Sequence, residues 1–256
     1  MDTTKRSGLA RGLEQGEQLL GMMITMPDPK LVEVAGLVGF DLVVLDTEHG
    51  PGDHLSLGQH IVAARSVGLQ VLVRVGHPAE ILRALDLGAN GIIAPHVSTV
   101  EAAQEVVRAA SYPPLGERGF ASSTRAGSYG LVSPEEHVAT SERDTVVIVM
   151  IEDATAVASV RDIAAVPGLS GLFVGPADLA SSLGRPGRVT DPDVRAAIEQ
   201  VHDAAHTAGL GAVSIVNDVP TAVAHFAAGS DVVVYNSQAA VLAMAKDLLA
   251  ARPDAT

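Results

Sequence analysis

A chain of 256 residues, 47% hydrophobic and 18% charged, has the make-up of an ordinary folded globule and not of a disordered chain, and one α/β barrel of about 250 residues suits that length. No cysteine is present, which excludes disulfides, thiolate zinc sites and cysteine nucleophiles and leaves any metal to oxygen or imidazole ligands. A formal charge of -13 repels phosphate backbones and anionic membrane surfaces, and four Phe, three Tyr and no Trp leave little on which bases can stack, so no nucleic-acid or membrane partner is expected.

Residues 1–18 are polar and lack the apolar centre of a signal peptide, and no apolar run is long enough to span a bilayer. The cytoplasm is the expected compartment. Thereafter the chain alternates short β-rich runs with amphipathic segments. Strands are predicted at 20–25, 41–45, 70–75, 91–95, 146–151, 171–174, 211–216 and 231–235. Helical spacing predicts helices at 29–38, 55–67, 79–87, 100–110, 154–165, 194–208, 221–227 and 239–251. A glycine (Gly39, Gly68, Gly88, Gly168, Gly209, Gly229) stands where most of the helices need a C-terminal cap before the next strand. Eight strands alternating with helices, with no low-complexity linker, predict one domain over 1–256. The expected fold is an α/β (β/α)8 TIM barrel, with a doubly wound open sheet as its rival.

Residues 111–134 interrupt the rhythm. They hold Tyr112-Pro113-Pro114, Gly116, Arg118-Gly119 and Thr124-Arg125-Ala126-Gly127 without periodicity. A loop this long is expected to wall the active site or to meet another subunit, while Arg118 and Arg125 read equally as surface charges.

Barrel enzymes gather their chemistry at the C-terminal ends of strands. After the second strand come Asp46, Glu48 and His49, a proton acceptor beside carboxylates able to orient and stabilise it, and Gly50-Pro51 then stops the strand. Near the end of the third lies Arg74 in Val73-Arg74-Val75, so apolar a setting that it must pair with Asp46 or Glu48 or serve an anionic ligand. The fifth strand runs into Glu152-Asp153 and the sixth into Gly175-Pro176-Ala177-Asp178. Glu152 and Asp178 at one mouth repel unless a cation lies between them, and magnesium or manganese suits two carboxylates with positions left for water and substrate. Asp153 reads as a helix N-cap. For Asp178 a cap stands beside the ligand reading, and in either case the amides of Ala177 and Asp178 offer donors to a carboxylate.

The ordered set Gly39-Phe40-Asp41, Asp46-Thr47-Glu48-His49, Val73-Arg74, Tyr112-Pro113-Pro114 with Gly116 and Arg118-Gly119, Ile151-Glu152 and Gly175-Pro176-Ala177-Asp178-Leu179 resembles the HpcH/HpaI family of metal-dependent class II pyruvate aldolases, from about Gly16 to Leu249. The resemblance implies a divalent-metal-dependent carbon-carbon lyase. Such an enzyme reversibly cleaves a 4-hydroxy-2-oxo acid to pyruvate and an aldehyde through a metal-stabilised enolate, with Mg2+, Mn2+ or Co2+. It implies His49 as the base that takes a methyl proton from pyruvate, Asp46 beside it, and Asp86 as a carboxylate that raises the base's basicity from a neighbouring subunit. It further implies Arg74 on the enolate oxygen, Glu152 and Asp178 on the metal, and the amides of Ala177 and Asp178 on the pyruvate carboxylate. The implied assembly is a homo-oligomer, a trimer of dimers that exchange the C-terminal helix. No lysine lies in a strand-end motif, which disfavours a Schiff-base aldolase.

Three positions depart from that pattern. Met150 stands where a substrate-facing glutamine is usual, which removes a hydrogen bond to the bound acid; His96 replaces an apolar residue; and Asn236-Ser237 replaces a different pair. His96 reads as a satisfied structural histidine, with a second-shell or substrate role as the alternative. The departures leave the aldehyde partner open, and they keep two other readings in play. One is a related barrel lyase acting on a CoA ester or another pyruvate-enolate reaction; the other is a non-catalytic barrel that binds an oxo acid.

Overall fold

The computed structural model describes residues 8–26, 28–50 and 53–252, and Pro51, part of the predicted strand stop, lies outside them. Eight parallel strands close into a barrel in sequence order: β1 (Leu19–Ile24), β2 (Leu42–Asp46), β3 (Gln70–Arg74), β4 (Gly91–Ala94), β5 (Val146–Ile151), β6 (Gly171–Val174), β7 (Gly211–Val216) and β8 (Val232–Asn236). β1 closes the ring on β8, with Gly21 opposite Val234 on one side and opposite Leu42 of β2 on the other. The open sheet is thereby excluded.

Helices alternate with the strands: α1 (Leu9–Glu14), α2 (Pro29–Val38), α3 (His54–Ser66), α4 (Ile81–Asp86), α5 (Val100–Ala110), α6 (Pro134–Asp144), α7 (Ala154–Ala158), α8 (Val160–Ala164), α9 (Pro176–Ser182), α10 (Pro192–Thr207), α11 (Val219–Ala227) and α12 (Ser237–Ala250). Side-chain caps fix many of the starts. Asp28, Asp53, Thr99, Ser133, Asp153, Asp191 and Asp218 each accept a backbone N–H of the first turn. Gly39 ends α2 at φ 116, a left-handed value that costs glycine nothing.

Two apolar layers follow from the strand period of two. Leu42, Val44, Leu72, Ile93, Ile148, Met150, Phe173, Val213, Val232 and Val234 fill the barrel, and Leu9 and Leu13 of α1 plug its N-terminal end. Val43, Leu45, Val71, Val73, Ile92, Val147 and Val149 face outward onto the helices, among them Ile61, Ala64, Ala84 and Val106. Because both faces are covered, the strands read as continuous β-branched runs. Gly91 has a packing reason: a Cβ there would lie 2.1 Å from the Val146 carbonyl oxygen of the adjoining strand.

Residues 111–133 do not wall this chain's own mouth. They leave α5 at the N-terminal end of the barrel, where Leu115 packs near Gly168 and Arg125 near Gly88, just ahead of β6 and β4. The buried Tyr112 hydroxyl lies 2.9 Å from His137 Nε2 of α6, and the Arg118 guanidinium lies over the Tyr112 ring while donating to Asp86 and Ser141. Arg118 is a buried structural cation and not a surface charge.

Candidate active site

The alternation that fills the barrel also places its chemistry. Extending the inward series Leu42, Val44 by one step gives Asp46, and Leu72 leads to Arg74, Ile148 and Met150 to Glu152, Phe173 to Gly175. Polar groups thus replace apolar ones only in the last layer at the C-terminal mouth. Asp46 and Arg74 are paired in register across β2 and β3, and their side chains meet twice: Arg74 Nε donates to Asp46 Oδ1 at 2.9 Å and Nη2 to Oδ2 at 2.6 Å. Asp46 Oδ1 also accepts the amides of Glu48 and His49 at 3.1 and 3.3 Å, so one buried carboxylate both orients the arginine and folds the turn that carries the histidine. Burial opposes the Arg74 charge, but the hydrogen bond and charge of Asp46, aided by Glu48 and Glu152, hold its pKa above the ordinary value.

The network continues through Glu48, expected from the sequence as a carboxylate beside His49 and a partner for Arg74, and through His96, expected as a structural histidine. Glu48 Oε2 lies 3.3 Å from Arg74 Nε, and its Oε1 lies 3.0 Å from His96 Nε2. The other ring nitrogen of His96 is 2.8 Å from Glu152 Oε1, which also accepts the His96 amide at 2.6 Å. His96 is therefore no core histidine; its side chain is 69% exposed at the mouth, between two carboxylates. Strand alternation does not reveal this, because His96 follows Pro95 and adopts a left-handed φ of 57.

Glu152 is 4% exposed, and burial raises its pKa; the His96 amide and ring work against that rise, while Asp178 and Glu48 add to it. A buried carboxylate crowded by two further carboxylates has the chemistry that a divalent cation relieves, so the donor set fits a hard metal ion held largely by oxygen. Among the described residues no group of three or more His, Asp or Glu side chains is arranged to hold a metal ion. A Cβ on Gly175 would come within 2.6 Å of Glu152 Oε2, 2.9 Å of Glu152 Cβ and 3.2 Å of Met150 Cε, so a larger residue at this turn would push on the Glu152 side chain.

A family model, described as HpcH/HpaI aldolase/citrate lyase, matches residues 19–237. The chain belongs to the HpcH/HpaI aldolase/citrate lyase family. A hydroxypyruvate/pyruvate aldolase of Roseobacter denitrificans is 36% identical over 207 residues, 78% of this chain and 80% of that protein. A pyruvate aldolase of Rhizobium etli is 34% identical over 244 residues, 94% of this chain and 95% of its own. Among solved structures, an HpcH/HpaI aldolase/citrate lyase family protein of Burkholderia cenocepacia superposes with a TM-score of 0.89 at 31% identity, covering 94% of this chain and 97% of that one.

Within this HpcH/HpaI barrel, Asp178 lies in the first turn of α9 and not at its cap, which is Gly175. The amides of Ala177 and Asp178 occupy the same turn, where helix geometry supplies no intrahelical acceptor. Asp153 is the N-cap of α7, accepting the Ala156 amide at 2.8 Å and the Ser98 hydroxyl. His49 is exposed on its turn. Asp86 stands apart from all of these. It ends α4 near the N-terminal side of β4 and pairs with Arg118 at 3.0 Å, away from the mouth of its own chain. A cavity of about 490 Å³ opens at that same far end, lined by Leu13, Tyr112, Leu115, Ser141, Ser170 and Leu210, and none of the mouth residues borders it. No helix among the described residues is long and apolar enough to cross a membrane.

Proposed function

We propose that this chain is a class II pyruvate aldolase that reversibly cleaves a 4-hydroxy-2-oxo acid to pyruvate and an aldehyde, with Mg2+, Mn2+ or Co2+ as its metal. The observation that carries the reading is the continuous Asp46–Arg74–Glu48–His96–Glu152 network at one mouth, with His49 on the adjoining turn. The aldolase names of two relatives at 36% and 34% identity support it.

In the synthetic direction His49 takes a proton from the pyruvate methyl group, and in cleavage it returns that proton to C3. Its turn is anchored by Asp46, which accepts the His49 amide and the Arg74 guanidinium on the same oxygen. Arg74 spends Nε and Nη2 on Asp46, which leaves Nη1 as the edge that faces the developing enolate oxygen. The amides of Ala177 and Asp178 take the carboxylate of the oxo acid. Met150 offers the acid an apolar floor where a glutamine would have offered a donor, so binding rests more heavily on those amides. Glu152 and Asp178 would hold the divalent ion, which supplies Lewis acidity at the ketone oxygen when bound.

We further infer a homo-oligomer, a trimer of dimers in which α12 passes to a partner. The support is the exposed apolar surface of that helix, including Leu242, Met244, Leu248 and Leu249, together with the position of Asp86 far from its own His49. Pyruvate methyl protons are expected to exchange with solvent deuterium in the presence of metal and to stop exchanging with chelator. An absence of metal-dependent exchange, with pyruvate shown to bind, defeats the assignment.

A further inference from the structure

We infer that Glu80 is a positioning residue for the reaction, a carboxylate that clamps the His49 turn from outside the barrel. The inference rests on the aldolase reading above and names a group beyond the Asp46–Arg74–Glu48–His96–Glu152 network. Val43 and Leu45 face outward from β2, and Thr47 is the next residue in that series. Its hydroxyl lies 2.8 Å from the Arg74 carbonyl oxygen and donates to Glu80 Oε2 at 3.0 Å. The same Glu80 oxygen accepts the Gly76 amide at 3.0 Å. One oxygen thus joins the turn after β2 to the turn after β3.

The clamp has a firm base and a close target. Glu80 closes a short 3-10 turn, Pro78–Glu80, whose start is capped by His77 accepting the Ala79 amide, and it leads directly into α4, where Ile81, Ala84 and Leu85 are buried. Gly76 packs against the backbone of the His49 turn itself: a Cβ there would lie 3.2 Å from the Thr47 carbonyl oxygen and 3.4 Å from Glu48 Cα. Thr47 stands between Asp46 and Glu48, with His49 just beyond, so slack at Glu80 passes to all three. From inside, Asp46 Oδ1 holds the amides of Glu48 and His49; from outside, Glu80 holds the residue between. Attraction of charges does not explain the carboxylate. Both partners of Glu80 are neutral donors, and among the described residues it pairs with no cation, in a chain of net charge -13. What the position uses is an acceptor that takes two donors at once.

A base displaced by about 1 Å can cost about 10²-fold in rate. The test measures pyruvate methyl proton exchange, with metal and saturating pyruvate, beside the KM for pyruvate. It compares wild type, Glu80→Ala, Glu80→Gln, Thr47→Val and the Glu80→Ala, Thr47→Val double variant. Glu80→Ala and Thr47→Val are each expected to slow exchange about 10- to 100-fold with KM within about twofold. The double variant is expected to fall well short of the product of the two losses, because they share one bond. The amide oxygen of Glu80→Gln can accept both donors, and the rate is expected to return to within about threefold of wild type. Deuterium uptake at the amides of Thr47, Glu48 and His49 reads the clamp directly, and is expected to quicken about tenfold in Glu80→Ala and to stay unchanged in Glu80→Gln. Should Glu80→Ala fail to fold, Thr47→Val and Glu80→Gln carry the comparison. Wild-type exchange in Glu80→Ala or in Thr47→Val, losses that multiply in the double variant, or an equal loss in Glu80→Gln overturns the inference and leaves the aldolase reading in place. A wild-type protein that binds pyruvate and metal but exchanges no protons overturns both.

Discussion

Arg74 grips Asp46 with two parallel hydrogen bonds, 2.9 and 2.6 Å long, from a position directly opposite it in the β2–β3 ladder. The Asp46 side chain is completely buried, so its charge depends on this partner. Replacing Arg74 with Lys keeps a positive charge but loses the planar fork, and kcat is expected to fall about 10²- to 10³-fold with little change in melting temperature. Replacing Arg74 with Met strands a buried carboxylate and is expected to cost about 3–5 kcal/mol of stability. Denaturant titration separates the two. Equal stability for the lysine and methionine variants would mean that the pair does not hold the mouth together.

Glu152 sets a second expectation through its raised pKa. A carboxyl group whose folded value exceeds its unfolded one contributes stability below the ordinary carboxylate range and loses it as pH rises through the raised value. At neutral pH the metal-free protein therefore carries a cost that Glu152→Gln removes, while the amide oxygen still accepts the His96 N–H. Melting curves in chelator are expected to show Glu152→Gln more stable than wild type at neutral pH and no advantage at acid pH. The same variant is expected to lose metal stimulation and about 10²-fold or more in kcat. A melting advantage that persists at acid pH would trace to packing and not to charge.

What the sequence makes legible depends on how regularly a signal repeats. The barrel announces itself eight times over, and strand period two carries Asp46, Arg74 and Glu152 to the mouth without any tertiary knowledge. His96 escapes that logic because one left-handed residue after Pro95 turns both its amide and its ring onto Glu152, and no periodicity encodes such a turn. α1 is too short for a helical period to register, and its role as a plug rests on Leu9 and Leu13 alone. α6 is mostly polar and buries only His137, yet its start is written in Ser133-Pro134-Glu135-Glu136, a capping serine before a proline with a glutamate three places on. The predicted helix over 154–165 divides at Ser159, where the backbone leaves helical geometry between α7 and α8. Asp86 is legible only as a motif; its partner within this chain, Arg118, comes from a loop without periodicity.

A third prediction concerns acid stability and lies away from the mouth. His202 of α10 is 6% exposed, with Nε2 3.2 Å from the Ser214 hydroxyl, and burial, followed by His225 and His206, lowers its pKa to about 4. Below about pH 6.5 the unfolded chain takes up a proton at this residue that the folded chain refuses until about pH 4, so stability present above that window is lost within it. The full difference corresponds to about 3 kcal/mol. Denaturant titrations of His202→Gln are expected to show a shallower decline between pH 6.5 and 4 than wild type. Parallel curves would assign the acid sensitivity to other groups.

The last helix yields the final prediction. In α12, Val241, Met244 and Leu248 follow helical spacing along one face, and Leu242 and Leu249 widen it, with Met244, Leu248 and Leu249 exposed by 57, 69 and 68%. Burying one such side chain contributes about 1.5–3 kcal/mol, so five left in water by a stable free chain would forgo a large gain. Sedimentation velocity of the wild-type protein is expected to give a multiple of the chain mass. Leu248→Glu combined with Leu242→Glu places two charges on the contact face and is expected to yield monomers with a lower melting temperature. If Asp86 serves the base of a neighbouring chain, those monomers also lose pyruvate proton exchange while keeping metal affinity, because Glu152 and Asp178 come from one chain. Dissociation with exchange fully retained would remove Asp86 from the catalytic apparatus, and a wild-type protein that sediments as a monomer would remove the exchanged helix as well.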